Sequence, residues 1–149
     1  MKVLLPTSGG GHLSHLLWLR DWWGDHERAW VCFDTTEARE RLVGERVYWA
    51  SHPTNRHLPN LWRNTRLARR VIADEAPDLV VSTGAGVALP FFAVAGARGI
   101  PTCFLEVYDR IDRPSLTGRL ASRWVDRVVV QWPEQALAYP GSRCLGPMR

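Results

Sequence analysis

The run Lys2-Val3-Leu4-Leu5-Pro6-Thr7-Ser8-Gly9-Gly10-Gly11-His12-Leu13 decides the fold. An unbroken apolar stretch enters a glycine cluster. Residues with helical spacing follow, at Leu13, Leu16, Leu17 and the block from Leu19 to Trp23. Continuous apolarity, in place of alternation, marks a strand buried on both faces. The sequence therefore predicts a strand over residues 2–7, a turn over 8–11 and a helix over 12–23.

The same alternation continues along the chain. Residues 29–33 (AWVCF) and 47–50 read as strands, with a helix start at Asp34-Thr35-Thr36-Glu37 between them. Pro53 and Pro59 bracket a loop. Residues 58–76 form the clearest helical pattern, closed by Pro77. A strand over 79–83 leads through Gly84-Ala85-Gly86 into an apolar helix that runs to about residue 98. Strands follow at 101–107 (PTCFLEV), 127–131 (RVVVQ) and 143–145, with a helix over 113–124 that carries Pro114 in its first turn. Apolar strands alternating with helices predict an α/β fold: one Rossmann-like, doubly wound parallel sheet spanning residues 1–149 as a single domain.

Composition narrows the class. The chain has 149 residues, 46% hydrophobic and 23% charged, which excludes disorder, collagen and coiled coil as its main state. Its longest stretch without charged or strongly polar groups, residues 84–97, is shorter than the ~20 residues of a membrane span. No signal-peptide pattern precedes the first strand, so the expected location is the cytoplasm. The three cysteines, Cys32, Cys103 and Cys144, have neither disulfide nor metal spacing, and no His/Asp/Glu cluster suggests a metal ligand set. Net charge is +4, and 18 of the 19 basic residues are Arg. That charge favours an anionic partner: nucleic acid, a lipid headgroup or a diphosphate.

Open α/β sheets bind ligands beyond the carboxyl ends of their strands. There the first strand offers Gly9, Gly10 and Gly11, which allow close backbone approach at a helix start, a setting suited to phosphate. Their spacing fits neither the dinucleotide nor the nucleotide-triphosphate fingerprint, so ordinary cofactor binding is disfavoured. A turn needed only for packing is the plain alternative. His12 opens the helix, where a neutral imidazole can act as base or hydrogen-bond donor; a loop-capping histidine is equally compatible. The fourth strand ends in Thr83, Gly84 and Gly86, a second glycine turn that could complete a cleft. The fifth ends in Glu106, a carboxylate on an apolar strand, suited either to proton abstraction or to an ion pair with Arg110.

On the helix over 58–76, Leu58, Leu61, Thr65, Ala68 and Ile72 share one face and Arg63, Arg66 and Arg70 lie opposite. With Trp62 beside them, and Trp22 and Trp23 on the first helix, they make a candidate membrane-surface patch, although a solvated charged face is the usual fate of such a run. No RNA- or DNA-binding motif accompanies the charge.

The order of these segments carries a resemblance. Residues 6–13 (PTSGGGHL) resemble the first glycine loop of family-28-type glycosyltransferases. Ser82-Thr83-Gly84-Ala85-Gly86 with Pro90, Gly99-Ile100-Pro101, Phe104-Leu105-Glu106, Arg110 and Pro114-Ser115-Leu116-Thr117-Gly118 resemble their acceptor-side half. The likeness is strongest to the acceptor and membrane-recruiting subunit of the two-subunit N-acetylglucosaminyltransferase of dolichol-linked oligosaccharide synthesis. Bacterial capsule and exopolysaccharide counterparts are similar. So, more distantly, is the amino-terminal domain of the peptidoglycan enzyme that glycosylates an undecaprenyl-diphosphate sugar.

The resemblance implies half of a GT-B fold, in which a separate donor-binding subunit supplies most of the UDP-sugar site and no other cofactor is used. The implied reaction is inverting transfer of a sugar, with N-acetylglucosamine suggested, onto a polyprenyl-diphosphate-linked acceptor at the inner membrane face. The implied roles are Glu106 or His12 as base, and Gly9, Gly10, Gly11, Thr83, Gly84, Gly86, Arg110, Ser115 and Thr117 around the acceptor. Unlike the eukaryotic subunit, this sequence shows no amino-terminal anchor, so Arg and Trp contacts are expected to hold it peripherally on the membrane. A non-catalytic docking module and a stand-alone nucleotide-binding enzyme are the alternatives.

Overall fold

A computed structural model describes residues 1–54, 56–111 and 113–147; Asn55, Asp112, Met148 and Arg149 lie outside the described residues. The elements in order are β1 (Lys2–Pro6), α1 (Gly11–Trp18), α2 (Arg20–Trp23), β2 (Glu27–Phe33), α3 (Thr36–Arg41), β3 (Val47–Ala50), α4 (Leu58–Glu75), β4 (Leu79–Ser82), α5 (Ala88–Ala97), β5 (Thr102–Leu105), α6 (Leu116–Ala121), β6 (Arg127–Val130), α7 (Pro133–Ala138) and β7 (Arg143–Cys144).

All strands pair in parallel, in the order β3-β2-β1-β4-β5-β6-β7. The expected doubly wound Rossmann-like sheet is the sheet observed. The order in which strands are added reverses between β1 and β4, where Leu4 sits level with Ala29 on one side and Val80 on the other. Helices after β1 and β4 diverge to opposite faces there, which opens a crevice at the carboxyl ends of those two strands.

Side chains alternate across the sheet with period two. Leu4, Ala29, Val31 and Val80 point to one face, against Ala68, Val71 and Ile72 of α4 and Phe91, Phe92 and Ala95 of α5. Val3, Leu5, Trp30 and Cys32 point to the other, against Leu13 and Leu16 of α1, Trp23 of α2 and Ala38 of α3. Burial keeps the Cys32 and Cys103 thiols protonated, with pKa values pushed up to about 11. On this second face the helices serve β1 to β3. Over β4, β5 and β6 the strand residues Leu79, Val81, Cys103, Leu105 and Val129 line an open apolar groove of about 340 Å³, bordered by Trp22.

Four local outcomes differ from the sequence reading. The helix expected over 12–23 breaks at Leu19 into α1 and α2. The break turns Trp23 inward: its indole N–H donates to the Leu16 carbonyl at 2.7 Å, and its ring meets Trp30 edge-on. Next, α6 starts at Leu116 instead of 113, because the Ser115 hydroxyl caps it by accepting from the Gly118 N–H. Helix α7, with Pro133 in its first turn, was not foreseen.

The fourth difference is the inner face of α4. It consists of Asn60, Asn64, Ala68, Val71, Ile72 and Glu75, whereas Leu58 and Leu61 face outward. The two asparagines are buried because they hold the preceding loop. Asn60 donates to the Pro53 carbonyl at 2.9 Å, and Asn64 both accepts from and donates to the backbone of Ser51 at 2.9 Å. Satisfying those loop amides rotates the helix so that its leading leucines meet solvent.

Candidate functional site

A cavity of about 640 Å³ lies at the carboxyl ends of β1, β4 and β5. Ser8, Gly11 and His12 enter it from the loop after β1. Ala85 and Gly86 enter from the turn after β4, Tyr108, Asp109 and Arg110 from the loop after β5, and Ser115 and Thr117 from the start of α6. Trp18, Phe33 and Tyr108 give it an aromatic wall.

His12 is fixed by two reciprocal bonds across the switch point. Its Nδ1–H donates to the Thr83 carbonyl at 3.0 Å, and the Thr83 hydroxyl donates to the His12 carbonyl at 2.9 Å. A carbonyl can only accept, so Nδ1 carries the proton and the neutral ring keeps its lone pair on Nε2. Burial lowers the His12 pKa below the usual histidine value, against the opposing pull of the Thr83 carbonyl, Glu106 and Asp109. A neutral, tautomer-fixed imidazole at a cavity wall is chemically a base.

Gly84 makes this placement possible. Its φ of +109° is open to glycine, and a Cβ there would lie 3.6 Å from the His12 ring and 3.2 Å from the Phe104 ring.

The glycine loop behaves less uniformly than its sequence suggests. Gly11 lines the cavity, but Gly9 and Gly10 turn toward α3. The Gly10 N–H donates to the Glu37 carboxylate at 3.3 Å, and a Cβ on Gly9 would lie 3.7 Å from the Thr35 hydroxyl. Thr83 is fully buried behind His12, and Gly84 packs there too, so of the second turn it is Gly86 that reaches the cavity.

Glu106 stands apart from the cavity that the sequence reading placed it in. Its side chain is fully buried and is not part of the cavity wall. Oε1 accepts from the Val107 N–H at 2.9 Å. Oε2 accepts from the Ser115 N–H at 3.0 Å, from the Ser115 hydroxyl at 3.1 Å and from the Tyr139 hydroxyl. Burial, and then Glu106 itself, push the Tyr139 phenol far above its ordinary pKa. Four hydrogen bonds from Val107, Ser115 and Tyr139 engage the carboxylate, and it does not line the cavity. Those from Val107 and Ser115 come from the two ends of the segment after β5. The ion pair weighed between Glu106 and Arg110 is likewise not found among the described residues; Arg110 lines the cavity instead.

The membrane residues named from sequence do not form one patch. Trp62, Arg63, Arg66 and Arg70 line a groove of about 570 Å³ between α4 and the β3 edge, shared with Trp49. Trp22 borders the apolar groove on the opposite sheet face, and Trp23 is only 3% exposed. Trp23 is a core residue because its ring packs on Trp30 and its N–H is satisfied inside α1. Sequence reasoning missed Tyr139, Gln131 and Gln135, which hold the loop after β5 from beneath. The one signal available was two glutamines flanking Trp132-Pro133-Glu134.

Comparison with known proteins bears on the family and the fold. A UDP-N-acetylglucosamine–N-acetylmuramyl-(pentapeptide) pyrophosphoryl-undecaprenol N-acetylglucosamine transferase of Halalkalibacterium halodurans is 30% identical over 96% of this chain and 43% of its own length. The human UDP-N-acetylglucosamine transferase subunit ALG14 is 28% identical over 60% of this chain and 42% of its own. The chain thus spans under half the length of these relatives. Among solved structures, Acinetobacter baumannii MurG superposes with a TM-score of 0.79 at 20% identity, over 97% of this chain and 45% of MurG, which establishes the shared fold. Residues 33–148 match the family described as oligosaccharide biosynthesis protein Alg14 like, and the chain belongs to that family.

Proposed function

We propose that this chain is the acceptor-side subunit of an inverting glycosyltransferase. It would transfer a sugar, N-acetylglucosamine in our reading, from a UDP-sugar to a polyprenyl-diphosphate-linked acceptor. The observation that carries the proposal is His12 at the cavity wall with Nδ1 committed to Thr83. Support comes from the relatives, whose names describe N-acetylglucosamine transfer, in the bacterial case to a pyrophosphoryl-undecaprenol acceptor.

In the proposed step, Nε2 of His12 takes the proton of the acceptor hydroxyl as its oxygen bonds to the anomeric carbon. The bond from that carbon to the diphosphate oxygen breaks, and UDP leaves with the electron pair. A single displacement of this kind inverts the anomeric centre. General-base assistance contributes about 10² to 10⁴ in rate. Arg110 at the cavity rim supplies the positive charge that an acceptor diphosphate needs, with Ser115 and Thr117 beside it.

The UDP-sugar site is assigned mainly to a second, donor-binding chain. An all-parallel sheet is normally covered on both faces, and we assign the apolar groove over β4 to β6 as the surface that partner covers. Membrane contact is assigned to α4. Leu58 is 75% and Trp62 is 60% exposed, with Arg63, Arg66 and Arg70 alongside. Thr54, just before α4, lines the cavity, so the acceptor mouth and this helix share one end of the molecule. Among the described residues no helix is long and apolar enough to cross a membrane, and peripheral binding at the inner face is the form of attachment proposed.

The test is reconstitution with a donor-binding partner and a radiolabelled UDP-sugar, with a polyprenyl-diphosphate sugar as acceptor. His12→Ala should lower turnover by about 10² or more while partner binding persists. Full turnover by that variant would leave the chain a docking module. Saturable binding of an adenine or nicotinamide nucleotide by the chain alone would point to the stand-alone enzyme.

A further inference from the structure

Beneath the cavity lies a buried polar network that the proposed transfer step does not use. The segment from Glu106 to Arg110 hangs from the end of β6 and from α7 by its carbonyls. Gln131 Nε2 donates to the Glu106 carbonyl at 3.1 Å. Gln135 Nε2 donates to those of Val107 at 2.9 Å and Arg110 at 3.2 Å. The Trp132 indole donates to that of Tyr108 at 3.0 Å. Gln135 Oε1 in turn accepts from the Gln131 and Trp132 N–H groups at 2.8 and 3.2 Å. At the far end of the loop, the Glu106 carboxylate gathers Ser115 and Tyr139.

The packing tolerates nothing else at this junction. A Cβ on Gly118 would lie 2.8 Å from Glu106 Oε2 and 2.9 Å from the Phe104 ring, and would collide with the Tyr139 hydroxyl. Both carboxylate oxygens meet only donors, so an amide at position 106 would press its N–H₂ against an N–H or O–H. The site accepts a carboxylate and rejects its isostere.

Such a network is costly when half-satisfied and rigid when complete. What it makes rigid is the strip of Tyr108, Asp109, Arg110, Ser115 and Thr117 that faces His12 across the cavity. We propose that Glu106, Tyr139 and Gln135 are positioning residues: a buried clamp that fixes the loop after β5 against His12, so that it sets the environment of the base without touching substrate. This rests on the reading of His12 as base, and it goes beyond it by giving the carboxylate, the phenol and the glutamine a shared task.

The charged groups facing His12 are Glu106 from the end of β5, and Asp109 and Arg110 from the loop. The turn after β4 presents the uncharged Thr83, and His15 lies one turn along α1 in the same cavity wall. A loosened loop would admit water to the imidazole and move Asp109 and Arg110 away from it.

The experiment uses the full chain. His12 is titrated by NMR through its ring resonances in the wild type, Tyr139→Phe and Gln135→Leu, and amide hydrogen exchange is followed over residues 115–118. Tyr139→Phe keeps the ring and removes one donor to Glu106; Gln135→Leu keeps the bulk and removes the carbonyl ties. Each should raise the His12 midpoint toward the ordinary histidine value and speed exchange at 115–118. A lower Tm with the His12 midpoint and loop exchange unchanged in both variants would overturn the clamp.

A second arm measures transfer in the reconstituted complex. There Tyr139→Phe should lower kcat about tenfold while the acceptor KM changes much less, the pattern of a misplaced base. Unimpaired transfer by His12→Ala would defeat the catalytic reading alone; the titration arm would still decide the clamp.

Discussion

His12 and Thr83 hold each other across the switch point of the sheet, the imidazole donating to one carbonyl and the hydroxyl to the other. Two residues 71 positions apart in sequence thereby form one rigid unit at the seam between β1 and β4. The pairing fixes the tautomer, and the tautomer decides which nitrogen is basic.

Thr83→Val keeps the shape and removes the hydroxyl donor. The fully buried site loses one hydrogen bond, and the His12 carbonyl loses its Thr83 partner. Denaturant unfolding should show a loss of about 1 kcal/mol. Transfer by the reconstituted complex should fall further than that stability loss explains, because the base is no longer held in register. Wild-type kcat/KM in Thr83→Val would show that the reciprocal bond is merely structural.

The depressed His12 pKa makes a signed prediction. In the folded chain burial disfavours the imidazolium, while the unfolded chain protonates at the ordinary histidine value. Between those two values the unfolded state binds more protons, so stability contributed by His12 is complete above the ordinary value and declines as pH falls toward the folded one. The acidic limb of the kcat/KM profile should likewise lie below the ordinary histidine pKa. Loss of that limb in a variant lacking the imidazole would identify its source, and a limb above the ordinary value would contradict the assignment.

Helix α4 inverts the usual arrangement, with asparagines inside and Leu58 and Trp62 outside. Sedimentation with vesicles rich in phosphatidylglycerol should show binding that weakens with salt. Charge reversal at Arg63, Arg66 and Arg70 should reduce it by well over tenfold, since each basic residue near an anionic surface contributes about 1 kcal/mol. Binding to neutral vesicles equal to that on anionic ones would remove the arginines from the interaction.

The open strip over β4 to β6 gives a separable prediction. Val129→Glu puts a charge into the apolar groove without touching His12 or α4. The variant should stay folded and bind anionic vesicles, yet fail to co-purify with a donor-binding partner. Normal co-purification would place the partner elsewhere.

Much of the fold was legible because apolar continuity and glycine punctuation are local signals. Residues 2–13 carried the first strand, the turn and the helix start, and the two glycine turns marked two strand ends that could share a cleft. The breaks in that reading have tertiary causes. Leu19 interrupts a helix because Trp23 packs on Trp30. Leu58 and Leu61 face outward because Asn60 and Asn64 answer loop amides that only the folded chain presents. Trp23 looked like a membrane anchor because a sequence does not say which tryptophan meets the sheet.

The sequence alone determined the parallel sheet, the end of it that carries the cavity, and His12 among the residues there. Helical and strand periodicities depend on neighbours a few positions apart, and those are written along the chain. Only the tertiary structure decided that His12 lines the cavity and that Glu106 is buried beneath it. The groups that hold them are Thr83 for one, and Ser115 and Tyr139 for the other, all brought in by strand order and helix packing. A carboxylate at the end of an apolar strand has the same one-dimensional signature whether its oxygens are open or filled, and filling is a property of three dimensions.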